Sequence, residues 1–288
     1  MKRFKGILLA GGNGTRLYPL TSVISKQLLP IYDKPMIYYP ISVLMMADIQ
    51  DITILVNETD YEQYNSLFGD GTHLGLKINY VFQPSACGLA DALRCALENN
   101  QSENVCVILG DNIFYGKGVY EPIKAAAKEM NGATIFVQAV KDPERFGIVE
   151  LDGSNVLSIE EKPVTPKSNL AITGLYMFDS HAYEFCGNLK PSIRAELEIT
   201  DLLKLYHAES NLKHVDLGRG ASWFDAGVPQ SMLKAGSLIA LLQEKQNTLI
   251  ACLEEIAFSK GWIDKELLEF SVQKHQGSEY GLYLQSIG

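Results

Sequence analysis

The sequence predicts an α/β protein built on a largely parallel sheet with helices on both faces. Three observations carry that expectation. Short apolar runs rich in Ile, Val and Leu recur along the chain, several of them alternate with helical patterns, and 288 residues suffice to bury a substantial core. In such sheets ligands collect beyond the carboxyl ends of the strands, so the residues just after each apolar run matter most.

The runs are taken in order. "GILLA" follows two lysines and an arginine, which superficially suggests a signal peptide, but glycines end it after about four apolar residues and it reads as a first buried strand. "PMIYYPISVLMMADI" places apolar residues three and four apart and predicts a helix, and "ITILV" and "INYVF" predict strands. "GLADALRCALEN" again has helical spacing, and "VCVILG", "ATIFVQAV", "GIVEL" and "LYMF" continue the strands. From about Asp152 the pattern is less regular: "VLSIEEKPVTPKSN" reads as a strand followed by a Pro-containing loop, in a segment suited to a substrate-facing subdomain. From Pro229 it turns helical, "PQSMLKAGSLIALLQEKQ" being the clearest case, and no further strand is expected.

Composition narrows the partners. No apolar run reaches the roughly 18 residues of a membrane span. The balance of 34 acids against 25 bases gives a net charge of −9, so neither nucleic acid nor an anionic membrane is an expected partner. The five cysteines are odd in number and lack CxxC spacing, which points away from a disulfide framework or structural zinc and toward the reducing cytoplasm.

After the first strand stands "LAGGNGTRLYPLTSVISKQLLP". Gly11, Gly12 and Gly14 let a backbone approach an anion, and Arg16 adds a planar fork suited to phosphate oxygens. The P-loop pattern is absent, and a dinucleotide fingerprint would need a glycine where Leu17 stands. Taken alone, the glycines leave a ligand-free turn and a phosphate loop equally open.

The wider pattern resolves the choice. "LAGGNGTRLYPLT" and "SKQLLPIYDKPMIYYP", followed by "LGDNIFYG", "DPERFGIVE", "EEKPVTPKSN", "ITGLY", "LKPSIRAELEITD" and "WFDAG", resemble the signature of the sugar-1-phosphate nucleotidylyltransferases, in order and over nearly the whole chain. The likeness is greatest to the branch that joins a thymidylyl group to glucose 1-phosphate. It implies a Rossmann-like mixed, mostly parallel sheet with a sugar-binding β-rich insertion and a helical C-terminal region. It also implies a nucleotidyltransferase core over 1–228 that includes the sugar-phosphate site, with 229–288 packed on the core and at subunit contacts.

In that chemistry a sugar 1-phosphate oxygen attacks the α-phosphorus of a nucleoside triphosphate and pyrophosphate leaves. The nucleophile is already an anion, so the need is for cations, alignment and a metal rather than a general base. The resemblance puts Gly11, Gly12, Gly14, Thr15 and Gln27 at the nucleotide. It makes Arg16 and Lys26 the catalytic cations on the triphosphate. Gln83, Gly88 and Leu89 are placed at the base, and a glutamine amide suits a pyrimidine edge. Asp111 and Asp225 match the carboxylates that hold Mg2+, and Asp111 also meets the nucleotide. Gly147, Glu161, Lys162, Ile172, Tyr176 and Arg194 match the sugar-phosphate site. Without the resemblance, "EEKP" is an exposed turn, Tyr176 a core aromatic, and Asp111 and Asp225 a turn residue and a local cap.

The expected substrates are dTTP and glucose 1-phosphate, with UTP kept open because Ala86 and Cys87 replace a Pro-Asp pair and Asp91 a glutamine in the base segment. "WFDAG" also carries Ala226 where relatives often have threonine. A uridylyl- or other nucleotidylyltransferase of a hexose 1-phosphate is the alternative; an inactive sugar-nucleotide-binding regulator is a further one, against which the retention of Arg16, Lys26, Asp111 and Asp225 together argues. Relatives are commonly homotetramers with feedback by a downstream dTDP-sugar.

Overall fold

The computed structural model describes residues 4–83, 87–101 and 103–288. "GILLA" lies in strand β1 (Phe4–Leu9). There follow a short hairpin, β2 (Pro30–Ile31) and β3 (Lys34–Pro35), then helix α1 (Tyr38–Met46) and β4 (Asp51–Val56). Helix α2 (Tyr61–Phe68), β5 (Lys77–Phe82), α3 (Leu89–Leu97), β6 (Asn104–Leu109) and β7 (Asn112–Tyr115) come next. Helix α4 (Lys117–Lys128) leads to β8 (Ala133–Ala139), β9 (Gly147–Asp152), β10 (Asn155–Glu161) and β11 (Leu170–Phe178). Helices α5 (Ala182–Gly187) and α6 (Ile199–Ala208) precede β12 (Leu212–Asp216) and β13 (Ser222–Asp225). The chain ends in α7 (Pro229–Gln246), α8 (Leu253–Ser259), α9 (Lys265–Lys274) and α10 (Glu279–Ile287).

The main sheet is mixed with a parallel centre. Strand β1 lies between β4 and β6, and β5 follows β4, all parallel. Strand β11 closes the other side of β6 in the antiparallel sense and pairs in turn with β8 and β9. The β9–β10 hairpin extends this side, and β12 runs parallel to β8.

Alternate residues of the central strands enter two different cores, which is why those strands read as apolar runs. Ile7, Leu9 and Leu55 pack with Leu93 of α3, Cys186 of α5 and Leu202 of α6. Leu8, Ile52 and Ile54 pack on the opposite face with Ile41 of α1, Phe68 of α2 and Ile123 of α4. Leu253, Ala257, Leu268 and Leu284 from α8, α9 and α10 join this second core, so the helical C-terminal region is built into it.

Three differences from the expectation bear on the site. The helix expected from Pro35 starts at Tyr38, because Lys34 and Pro35 pair with Ile31 and Pro30. The "LYMF" strand extends back to Leu170, with a register shift between Ile172 and Tyr176. The pairing of β13 with β7 has no counterpart in the sequence pattern, since "SWFD" and "NIFY" are too short and too polar for a periodicity argument.

Candidate active site

A cleft of about 480 Å³ opens beyond the carboxyl ends of β1, β5 and β6. One side is lined by Gly11, Gly12, Gly14, Thr15, Arg16, Lys26, Gln27, Gln83, Gly88, Leu89 and Asp111. Gly147, Glu161, Lys162, Ile172, Tyr176, Arg194 and Asp225 line the rest, so the fold brings the candidate catalytic, nucleotide, metal and sugar-phosphate residues named from the sequence to one cleft.

The loop after β1 works by close packing. Of its glycines, Gly14 is the one with positive φ, 61°, and a Cβ there would meet Thr21 Cγ2 at 2.9 Å and the Lys26 stem at 3.1 Å. A Cβ on Gly11 would stand 2.6 Å from Gln83 Oε1, so its absence lets the loop lie against the glutamine amide. Gln27 is held from behind: Ser25 Oγ donates to its Oε1 at 3.1 Å and the Tyr64 hydroxyl at 3.3 Å.

The two aspartates, far apart in sequence, meet through the β7–β13 pair. Asp225 stands opposite Asn112, and the Ala226 amide donates to the Asp111 carbonyl at 2.9 Å. Asp111 has both carboxylate oxygens engaged, Oδ2 by the buried Lys26 ammonium and Oδ1 by Asn112 Nδ2 at 2.8 Å. Burial works to raise the Asp111 carboxyl, but Lys26, with help from Asn112 and Arg16, outweighs it and holds it below the ordinary carboxylate range. Asp225 goes the other way. Burial pushes it up and the Asp111 charge adds to that, against Lys26 and Arg16. The Arg16 guanidinium lies over Gly227, where a Cβ would stand 2.9 Å from its Nη2 and 2.7 Å from Asp225 Oδ1.

Three residues of this centre are not singled out by the sequence pattern. Asn112, 3% exposed, accepts from Trp223 Nε1 at 2.5 Å and from the Gly174 amide at 3.3 Å while donating to Asp111, so it ties both walls of the cleft together. Trp223 packs on Phe146 with ring centroids 5.1 Å apart. Arg145 lies over that Phe146 ring, bonds Asp142 at 2.5 Å and reaches to 3.8 Å from Asp225 Oδ2. All three stand in motif segments, "LGDN", "DPERF" and "WFDAG", and the amide of Asn112 and the charge of Arg145 are the available signal for two of them.

At the sugar-phosphate end, Lys162 adopts φ 45°, a left-handed conformation that costs a non-glycine residue about 1–3 kcal/mol, and its amide is held by the Phe146 carbonyl at 3.0 Å. Its ammonium is 3.7 Å from Glu161 Oε1. Burial pushes the Glu161 carboxyl up, with Glu198 acting the same way and Lys162 and Arg194 opposing. Tyr176 is 4% exposed, stacked on Phe178 at 6.0 Å, and so serves the core while closing the cleft wall.

The base segment is clamped to the sugar-phosphate loop. The Cys87 carbonyl accepts from the Leu197 amide at 2.7 Å, and the Ala90 amide donates to the Leu197 carbonyl at 3.0 Å. Of the departures there, Ala86 lies outside the described residues. Cys87 is exposed, and Asp91 pairs with Arg94 at 3.0 Å on α3 without joining the cleft wall.

Comparison with known proteins agrees with this geometry. Residues 5–240 match the model of the nucleotidyl transferase family. A glucose-1-phosphate thymidylyltransferase of Neisseria gonorrhoeae is 51% identical over 281 residues, 97% of this chain and 98% of its own. One from Xanthomonas campestris pv. campestris strain B100 is 47% identical over 288 residues, 100% and 98% of the two chains. The crystal structure of a putative glucose-1-phosphate thymidylyltransferase from Bacillus anthracis in complex with a sucrose superposes with a TM-score of 0.76 at 39% identity, covering 82% of this chain and 94% of that one. The chain belongs to the nucleotidyl transferase family, among its glucose-1-phosphate thymidylyltransferases.

Proposed function

We propose that the cleft transfers a thymidylyl group from dTTP to glucose 1-phosphate, giving dTDP-glucose and pyrophosphate, as the names of the relatives indicate. The observation that carries the residue roles is the gathering of Arg16, Lys26, Arg145, Lys162 and Arg194 in one cleft of a chain with net charge −9. No histidine or cysteine stands among its described lining residues. That set suits two polyanions whose nucleophile needs no base.

Carboxylates meet all of these cations: Lys26 bonds Asp111, Arg145 bonds Asp142 and nears Asp225, Arg194 bonds Glu198, Lys162 nears Glu161, and Arg16 acts on Asp111 and Asp225. Substrate binding adds phosphate oxygens as partners of these cations. Arg16 and Lys26 take the triphosphate, Lys162 and Arg194 take the sugar phosphate, and Glu161 accepts from sugar hydroxyls. A sugar phosphate oxygen then forms a bond to the α-phosphorus as the bond to the β-phosphate oxygen breaks, and Lys26 and Arg16 stabilise the departing pyrophosphate.

The donor set suits Mg2+: two carboxylates brought together, hard oxygens only, with Asp225 raised by burial and then by the charge of Asp111, which a divalent ion would offset. Asp111 and Asp225 would hold the ion, and when bound it supplies charge neutralisation between the two polyanions. At the base, Leu9, Leu55, Leu89 and Ala92 supply apolar wall near Gln83, which favours thymine. One methyl group separates thymine from uracil, worth about 1–3 kcal/mol, and UTP differs from dTTP as well in its ribose 2′-hydroxyl.

The C-terminal region 229–288 provides subunit contacts of a homotetramer in this proposal, supported by Leu233, Phe270 and Leu282 on α7, α9 and α10, each more than half exposed. Feedback by a downstream dTDP-sugar and a cytoplasmic location belong to the same reading. The test incubates purified protein with Mg2+, glucose 1-phosphate and dTTP, UTP, CTP or ATP, and measures pyrophosphate and sugar nucleotide. Highest release with dTTP is expected. Measurable nucleotide binding with no release from any triphosphate would instead make the chain a binding regulator.

A further inference from the structure

Arg194 is held by a carboxylate that lies deeper than the substrate cleft requires. Glu198 grips it with both oxygens, Oε1 accepting from Nε at 3.0 Å and Oε2 from Nη2 at 2.7 Å. Two other glutamates stand farther from Nη2, Glu196 at 3.4 Å and Glu161 at 3.5 Å. The Glu198 side chain is 9% exposed, against 23% for Glu161 and 44% for Glu196. The strongest partner of Arg194 is therefore the most buried one.

The local backbone is organised around this pair. Glu198 is the residue before the first turn of α6, and its side chain makes no bond to the helix's own amides, which leaves both oxygens to Arg194 and Ser192. The N-terminal end of α6 still favours its negative charge. Ser192 Oγ donates to Glu198 Oε1 at 2.8 Å and accepts from the Arg194 amide at 3.2 Å. The loop closes on itself through Ser192 N to the Glu196 carbonyl at 2.8 Å and Ala195 N to the Ser192 carbonyl at 2.8 Å. Arg194 is thus fixed at its main chain and along one edge of its guanidinium, while Nη1 takes part in none of these contacts.

We propose that Glu198 is a positioning residue for the sugar-phosphate subsite: it holds the Arg194 guanidinium by its Nε–Nη2 edge so that the remaining edge is offered to phosphate, and it keeps Arg194 from closing further on Glu161, 3.5 Å away. Both consequences follow from one pair. A planar fork preset by a buried carboxylate loses little freedom on meeting a phosphate. Without Glu198, the nearest carboxylates are Glu161 and Glu196, and pairing with Glu161 occupies the acceptor assigned to sugar hydroxyls. This inference rests on the assignment of Arg194 to the sugar phosphate.

The test measures kcat, the KM of each substrate and Tm for the wild-type protein, Glu198→Gln, Arg194→Ala and the double variant. Glutamine keeps the size and removes the charge, so the expected result is a rise of about tenfold in the KM of glucose 1-phosphate, the scale of a lost charge-assisted pair. The KM of dTTP and the Tm stay close to wild type. Arg194→Ala raises the same KM at least as far, and adding Glu198→Gln to it has no further effect, because the glutamate acts through the arginine. Additive effects, an unchanged KM in Glu198→Gln, or a fall in Tm with both KM values rising overturns the positioning role. If Arg194→Ala leaves the KM of glucose 1-phosphate unchanged, the assignment of Arg194 itself is wrong, and the proposal falls with it.

Discussion

Replacing Lys26 by alanine separates a binding role from a transition-state role. The Lys26 side chain is 8% exposed and its ammonium bonds Asp111, which is 16% exposed and faces a second carboxylate in Asp225. Removing one partner of a buried ion pair costs about 3–5 kcal/mol, because the other charge is left behind. Asp111 keeps its bond from Asn112, which puts the expected loss near the lower end, about 3 kcal/mol. For a chain of this size that corresponds to a fall in Tm of about 6 °C, at roughly 2 °C per kcal/mol.

Catalysis is expected to suffer more than binding. A preorganised donor at the point where charge develops is worth about 10²–10³ in kcat. The KM of dTTP changes far less, since Arg16 and the amides of the glycine loop remain. Steady-state pyrophosphate release against dTTP concentration, with thermal unfolding on the same samples, reads all three quantities. A fall in kcat of less than about tenfold, or a KM that rises as far as kcat falls, would refute the assignment of Lys26 to the transition state.

The other predictions probe the remaining corners of the cleft. Asp225→Asn is expected to raise the Mg2+ concentration needed for half-maximal rate, and an unchanged metal titration would remove Asp225 from the ligand set. Gly88 has φ 108° and a Cβ there would stand 2.4 Å from the Leu197 carbonyl, so Gly88→Ala strains the clamp between base segment and sugar-phosphate loop. A loss of about 1–3 kcal/mol and raised KM values for both substrates are expected; unaltered unfolding would show that the clamp is slack. In the proposed role Glu161 accepts from sugar hydroxyls when ionised, and burial lifts its carboxyl above the ordinary 4.5. As pH falls, the KM of glucose 1-phosphate is therefore expected to climb earlier than an unperturbed glutamate would dictate, and Glu161→Gln should lack that limb; parallel profiles count against the role.

Much of this site is visible in the sequence because its parts follow the apolar runs. Gly11, Gln83 and Asp111 come directly after strands whose residues enter cores on both faces, and such strands announce themselves by composition. What stays hidden is who holds whom. Asp111 and Asp225 converge only through β7 and β13, each four residues long, and no periodicity survives in so short a segment. Arg145 and Glu198 stand within motifs, but a charge on a loop does not say which partner it takes until the fold sets the distances.

The departures in the base segment show the same limit from the other side. In the sequence, Asp91 in place of glutamine suggests an altered contact with the nucleotide. In the fold its carboxylate is paired with Arg94 three residues along α3 and stands outside the cleft wall, so its charge is met within the helix. Cys87, by contrast, gives its carbonyl to the Leu197 amide, a backbone bond that any side chain at position 87 can make. Asp91 therefore brings no charge to the cleft wall, and the backbone bond at Cys87 does not depend on the substitution there. Under the proposed function, discrimination between thymine and uracil is assigned to Gln83 and the apolar lining of Leu9, Leu55, Leu89 and Ala92.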